Sequence, residues 1–203
     1  MAVGLVELTP GPNMAYLGLV AARHGRVAGL ATVAGVTLGL ALYLLATVVG
    51  LAGIAAQAPW LFQALRVAGI GYLLWLALDA WRGSPEVAPG LADARSSYGR
   101  LAVRGFLANL LNPKAAIFYL ALLPGFTTPD AGETTPQVLV LGAVHLGVSL
   151  AVHLGIVALA GSAALTLPRG GVYERAMRGM FAGGLVGVAA WLGWTTGSGF
   201  DGR

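Results

Sequence analysis

A single lysine, two histidines and two proline motifs are the residues of this chain best suited to chemistry, and all lie within apolar sequence. Lys114 is ten residues from Arg104 and twelve from Phe126, so its side chain does not easily reach either end of its apolar block. An ammonium group in such surroundings needs an anion or a water-filled cavity, or else it loses its proton. The anion is either an internal partner, for which Glu7 is eligible, or the carboxylate of a substrate.

Two proline motifs interrupt apolar blocks, one in each half of the chain. The first is Thr9-Pro10-Gly11-Pro12-Asn13 and the second is Asn112-Pro113-Lys114. Proline has no amide hydrogen and crowds the preceding turn, so each motif frees backbone groups that lipid cannot satisfy. Asn109, three residues before Asn112, extends the polar face beside the second motif.

Each motif has the chemistry to start a half-helix inside the membrane. Thr9 and Asn112 are suited to cap a helix, and Pro10 and Pro113 suit its first position. The positive end of each half-helix would then favour a carboxylate. The candidate amide donors lie near Gly11, Asn13, Lys114 and Ala115. Ordinary packing kinks are the alternative interpretation.

A polar row in the fifth apolar block consists of His145, Ser149 and His153. Spacings of four place all three on one helix face over more than two turns. Because histidine titrates near neutral pH, the row could relay protons and couple transport to a proton gradient. Hydrogen-bonded packing is one alternative. Metal binding is another, although two imidazoles without a carboxylate or thiolate make an incomplete site.

The composition identifies lipid as the solvent. Hydrophobic residues make up 57% of the 203 residues and charged residues only 10%, against roughly 25% in soluble domains, and the mean hydropathy is +0.78. The absence of cysteine excludes disulfide, thiolate-metal and thiol-redox sites. The net charge of +4 comes without a basic stripe, which argues against nucleic-acid binding. We find neither a nucleophile with a base nor a carboxylate cluster, so we expect no enzyme activity and no cofactor.

Six apolar blocks are long enough to cross about 30 Å of hydrocarbon as helices of roughly 20 residues. They cover residues 1–22, 28–56, 60–81, 104–125, 136–160 and 177–197. The one connection of any length runs from Arg82 to Tyr98 and contains glycine and proline. We therefore predict a single all-α integral membrane domain over residues 1–203, with a first half at 1–81, a cytoplasmic linker at 82–103 and a second half at 104–203.

Three spans on each side of the linker predict two inverted three-helix repeats. Pro10 lies nine residues after Met1 and Pro113 nine after Arg104, so helices 1 and 4 are both broken about 13 to 14 Å deep, near the midplane. Nine arginines lie in the connections on one face. The positive-inside rule therefore places both termini outside the cytoplasmic membrane.

The motifs resemble those of the LysE/RhtB family of amino-acid exporters. The resemblance rests on Thr9-Pro10-Gly11-Pro12-Asn13, on residues 25–30 with Gly35 and Gly39, on residues 69–74, and on the run from Gly105 to Ala115. It covers the chain up to residue 126 in detail and the last two spans by hydropathy alone.

The resemblance implies a proton-driven exporter of the cytoplasmic membrane with six spans. It implies that the transport-critical residues are Pro10, Gly11, Pro12, Asn13, Asn112, Pro113 and Lys114. Arg66 aligns with a basic residue often found before the glycine-tyrosine-leucine run, although it lies only six residues from Trp60 and could extend to the outer interface. The chain departs from the family at Leu40, where many members carry a polar or acidic residue, and in a shorter segment before Thr9.

The sequence therefore predicts a secondary transporter that exchanges a small zwitterionic or anionic amino-acid-like substrate for protons. The half-helix ends and Lys114 would hold the carboxylate, Glu7 and Asn109 would bind the amino group, and His145 and His153 would carry the proton. The expected partners are the substrate, the lipid bilayer and, as one option, a second copy of the chain. The alternative function is export of a metal or another cation by the two histidines.

Overall fold

The computed structural model describes residues 11–50, 53, 57–82, 91–128, 132–166 and 171–197. Within this part of the chain the residues form helices and turns, with no strand, which confirms the all-α prediction. Glu7, Thr9 and Pro10 lie outside the described residues, so the predictions made for them are not taken further from the geometry.

Seven α-helices follow one another along the described chain. They are α1 (Pro12–His24), α2 (Arg26–Val48), α3 (Pro59–Arg82), α4 (Leu91–Leu110), α5 (Pro113–Ala116), α6 (Thr134–Thr166) and α7 (Gly171–Gly197). After α5 the chain continues without a break as a π-helix, Ile117–Leu122, and a 3₁₀-helix, Leu123–Phe126. We refer to Pro113–Phe126 as the second half-helix.

Three helices are long and apolar enough to cross a bilayer, namely α2, α3 and α6. The pair formed by Ser97–Leu110 and the second half-helix also passes this test, with a bend of 58° at the break. Helix α1 has only 13 described residues, about 20 Å, and the apolar part of α7 is the shorter segment Gly179–Trp194. The described helices therefore belong to a multi-pass membrane protein, while the arrangement of six spans in two repeats stays a prediction.

Two helix boundaries differ from the predicted spans, in opposite directions. The second span was expected to run to residue 56, but α2 ends at Val48 and Gly50 then adopts a positive φ of 87°. The connection expected from Arg82 to Tyr98 is helical from Leu91 onward. At α4 the backbone hydrogen bonds continue through polar sequence, whereas α2 ends within apolar sequence next to Gly50, so apolarity alone does not locate helix ends.

Glycines allow α2 and α4 to approach each other closely. A Cβ atom added to Gly35 would overlap the carbonyl oxygen of Ala102, and one added to Gly105 would lie 2.5 Å from that of Thr32. Small residues have this role in membrane helix pairs, where backbone proximity replaces a hydrophobic driving force. Helix α6 packs against both α1 and α2, and α3 packs chiefly against α7.

The close approach of α2 and α4 predicts different effects for the same substitution at two glycines. Gly35→Ala forces the helices apart, so we expect a loss of about 1–3 kcal/mol in the free energy of unfolding. Gly71→Ala on α3 meets nothing within 4 Å, and we expect unchanged or slightly higher stability. Thermal unfolding of both variants in detergent measures the difference, and equal midpoints would contradict the packing.

Candidate functional site

The first helix of the site begins at Pro12. Gly11 is its N-cap residue in extended conformation (φ −136°, ψ 169°), and no side chain caps it. The helix begins two residues after Pro10, and the predicted cap Thr9 and first position Pro10 lie outside the described residues. Because a residue preceding proline is disfavoured in the α region, Pro12 keeps Gly11 out of the helix.

The second half-helix begins as predicted from the sequence. Asn112 is its N-cap, Pro113 occupies the first position, and the Asn112 side-chain oxygen accepts a hydrogen bond from the Lys114 amide at 3.0 Å. This bond satisfies one amide left free at the break. The predicted break in the fourth span is thus confirmed, together with its cap.

Carbonyl groups at and beyond the break find partners on α2. The Tyr43 hydroxyl donates to the Leu110 carbonyl at 2.6 Å, and the Thr47 hydroxyl lies 2.9 Å from the Tyr119 carbonyl. The rings of Tyr43 and Tyr119 also stack, with centroids 6.3 Å apart. The sequence analysis missed this support, although Gly35, Gly39, Tyr43 and Thr47 are spaced by four and share a helix face.

A cavity lies between the two helix starts and the polar face of α6. Its lining residues are Gly11, Asn13, Met14, Leu40, Asn109, Asn112, Lys114, Ala115, Phe118, His145, Ser149 and His153. The cavity volume is about 30 Å³, which is enough for about two water molecules. Residues predicted separately from the proline motifs and from the histidine row are therefore brought together in one place.

Lys114 lies against the start of the other helix. A Cβ atom added to Gly11 would be 3.3 Å from Lys114 Cδ and 3.7 Å from Nζ, so the lysine side chain passes directly over this glycine. Because Gly11 has no side chain, the lysine side chain can pack against its backbone without a steric clash. One cation thus adjoins the N-terminal ends of both α1 and the second half-helix.

Two buried amides join the helices on the cavity wall. Asn13 Nδ2 donates to Asn109 Oδ1 at 2.5 Å, and both residues are more than nine-tenths buried. Asn13 Oδ1 and Asn109 Nδ2 have no hydrogen-bond partner in the protein. Gly39 makes room for this arrangement, because a Cβ atom there would lie 2.5 Å from Asn109 Nδ2.

The histidine row also lines the cavity and is buried. His145 Nδ1 is 3.0 Å from the Tyr119 hydroxyl, and the His145 ring stacks on Phe118 at 3.8 Å between centroids. Ser149 Oγ and His153 Nδ1 are 3.5 Å apart. The π-helix carries both aromatic partners, which agrees with the frequent occurrence of such helices at functional sites.

Comparison with known proteins gives this cavity a family context. The sequence model of the LysE type translocator family matches residues 5–195. The chain belongs to the LysE type translocator family. A homoserine/homoserine lactone efflux protein of Salmonella typhimurium is 31% identical over 156 residues, 77% of this chain and 75% of the relative.

Two further relatives of this LysE-type chain are also named for efflux. A threonine efflux protein of Escherichia coli K12 is 29% identical over 63% of this chain and 64% of its own length. A leucine efflux protein of Klebsiella pneumoniae is 31% identical over 66% of this chain and 62% of its own length. No solved structure matches the chain significantly. All three relatives are named as efflux proteins.

Of the predicted site residues that the structure describes, Pro12 and Pro113 begin the two helices without lining this cavity, and Arg66 lies away from it. The Arg66 guanidinium donates to the Gly193 carbonyl of α7 at 2.8 Å and lies 3.4 Å from Gln63 Oε1. It is not among the residues that line the cavity. Arg66 therefore joins α3 to α7. Its position before the glycine-tyrosine-leucine run is a sequence pattern, and such a pattern does not tell which residue the side chain contacts.

The other charged contact of note joins α3 to α4. Asp79 and Arg104 form a salt bridge of 2.7 Å, and Arg104 also lies over the Trp75 ring, 5.3 Å from its centroid.

Across the described ranges, no group of three or more histidines or acidic residues is placed to hold a metal ion.

The cap of the second half-helix predicts a specific stability difference. Asn112→Ala removes the acceptor for the Lys114 amide, so we expect the free energy of unfolding to fall by about 1 kcal/mol. Asn112→Ser keeps a capping oxygen and should retain most of that stability. Thermal unfolding in detergent without any ligand compares the two variants. A serine variant as unstable as the alanine variant would show that the cap is not the reason.

Proposed function

We propose that this chain exports amino acids or closely related small metabolites across the cytoplasmic membrane, with both termini outside. Alternating access around the cavity would carry the substrate, and protons would move in exchange. The observation that carries the proposal is the cavity itself, where two helix starts, the single lysine of the chain and buried amides meet. The efflux function printed for the relatives supports the same class of substrate.

The substrate carboxylate would bind beside Lys114. The ammonium group supplies a positive charge, and the N-terminal ends of α1 and the second half-helix contribute partial positive charges from their free amides. In a site with little water these attractions are stronger than at a protein surface. An anionic group is therefore the guest that this end of the cavity favours.

The substrate amino group would bind on the amide wall. The unpaired acceptor on this wall is Asn13 Oδ1, because Asn109 Oδ1 already accepts from Asn13 Nδ2. An ammonium group would donate to Asn13 Oδ1, and to Asn109 Oδ1 once the bond between the two amides opens. Glu7 is the acid proposed from the sequence to share this role. The two ends of the cavity would thus favour a zwitterion.

Proton coupling would use the histidine row. His145 and His153 face the same cavity as Lys114, so a proton on either imidazole changes the charge that the substrate experiences. Ser149 lies between them in sequence and adjoins His153 Nδ1. Substrate binding and protonation would be coupled through this shared space.

No observation favours the alternative of a metal exporter. The Nδ1 atoms of His145 and His153 adjoin the hydroxyl groups of Tyr119 and Ser149. A two-imidazole site without a third ligand binds a metal weakly. The part of the chain that the structure describes offers no third histidine or acidic residue beside them.

The role of Lys114 is tested by transport in proteoliposomes with an imposed pH gradient and a panel of amino acids. Lys114→Met removes the charge but keeps an unbranched side chain, and we expect flux to fall by about tenfold or more, in line with the loss of a charged hydrogen bond. Lys114→Arg keeps the charge and should retain more flux. Gradient-dependent flux of normal size in the methionine variant would overturn the assignment.

The histidine row predicts a separation of two kinds of transport. His145→Gln and His153→Gln should lose the acceleration by a proton gradient while they retain exchange of labelled for unlabelled substrate, which needs no net proton movement. His24→Gln is the matched control, because His24 lies at the end of α1 against Phe181 and does not line the cavity. If all three variants respond to the gradient like the parent protein, protons do not pass through this row.

A further inference from the structure

A second, smaller cavity adjoins the first and shares two of its lining residues. Asn13 and Asn112 line both cavities. The second cavity lies between α1, α3, α4 and α7. Its volume is about 10 Å³, which is enough for about one water molecule. A molecule held at the shared amides can therefore extend into either space.

The two cavities differ in chemistry. Charged, amide, hydroxyl and imidazole groups line the first, whereas Leu73, Ala108, Leu111 and Leu192 form much of the second. Leu73, Ala108 and Leu192 are each at least nine-tenths buried. A charged group in such surroundings would lose its hydration without compensation, so the second cavity suits an uncharged, apolar group.

The helix break itself creates this space. Gly69 of α3 lies directly on the break, since a Cβ atom there would overlap the Leu111 carbonyl oxygen. Tyr72, one turn further along α3, also lines the cavity, and its hydroxyl lies 3.3 Å from the Arg104 carbonyl. The tyrosine hydroxyl is therefore directed to the backbone of α4.

We propose that the second cavity is the subsite for the side chain of the substrate. This inference rests on the proposed function, in which the first cavity binds the zwitterionic end of an amino acid. The occupant is then an α-amino acid with a short, uncharged aliphatic side chain. The apolar lining disfavours charged side chains. Any side chain must widen this small space when the cavity walls move, so a short side chain is favoured over a long one.

Competition by a straight-chain series in proteoliposomes tests the subsite. The series is alanine, 2-aminobutyrate, norvaline and norleucine, with lysine and aspartate as charged competitors. We expect the short members to compete best in the parent protein. Leu192→Ala should shift the preference toward norleucine by about tenfold, because one methylene in an apolar pocket changes binding by about that factor or more. Ala108→Leu should shift it toward alanine.

Leu185→Ala is the matched control. Leu185 lies seven residues before Leu192 on the same face of α7, is fully buried and lines neither of the two cavities. This variant should lose stability like Leu192→Ala but keep the parent order of competitors. Leu192→Val is the milder second variant if the alanine variant does not fold, and it should move the preference in the same direction by a smaller factor.

The outcomes separate the subsite from the proposed function. Amino-acid transport with the same competitor order in Leu192→Ala (or Leu192→Val), Ala108→Leu and the parent overturns the subsite and leaves the function standing. A parent protein that transports no amino acid overturns the proposed function, and the subsite with it. A shift of the order in opposite directions by the two lining variants, but not by Leu185→Ala, supports the subsite.

Discussion

The structure around the cavity depends on how the backbone groups at one helix break are satisfied. A bilayer interior offers no hydrogen bonds to free amides and carbonyls, so the protein must supply them. Asn112 accepts from the Lys114 amide, and Tyr43 donates to the Leu110 carbonyl. Beyond the break, the Thr47 hydroxyl lies 2.9 Å from both the Tyr119 carbonyl and the Tyr43 carbonyl of its own helix. These bonds fix the second half-helix beside α2 and thereby place Lys114 in the cavity.

The same face of α2 meets two requirements that would otherwise conflict. Hydrogen bonds to the break require α2 to be near α4, and close approach requires small residues at the contact. Gly35 and Gly39 provide the approach, and Tyr43 and Thr47, one and two turns further on, provide the donors. Packing and hydrogen bonding are thus arranged along one helix face, and Gly39 in addition accommodates the side chain of Asn109.

Features that depend on neighbouring residues, such as a helix cap, could be predicted from the sequence, whereas contacts between residues far apart in the chain could not. Asn112 has the side chain of an N-cap and is followed by proline, so its role could be predicted without neighbours. The start of α1 at Pro12 follows from a similar local rule, because a residue before proline is disfavoured in the α region and Gly11 is extended. The contact of His145 with Tyr119 depends on a π-helix, which no pattern in the sequence indicates.

The size of the first cavity bears on how a substrate could enter it. Room for about two water molecules is too little for an amino acid, so binding requires its walls to move. Separation of α1 from α4 would break the bond between Asn13 and Asn109. Each of these amides already has one buried atom without a partner, an acceptor on Asn13 and a donor on Asn109. The guest that best replaces their bond is therefore one that both donates and accepts hydrogen bonds, as the ammonium and carboxylate groups of an amino acid do.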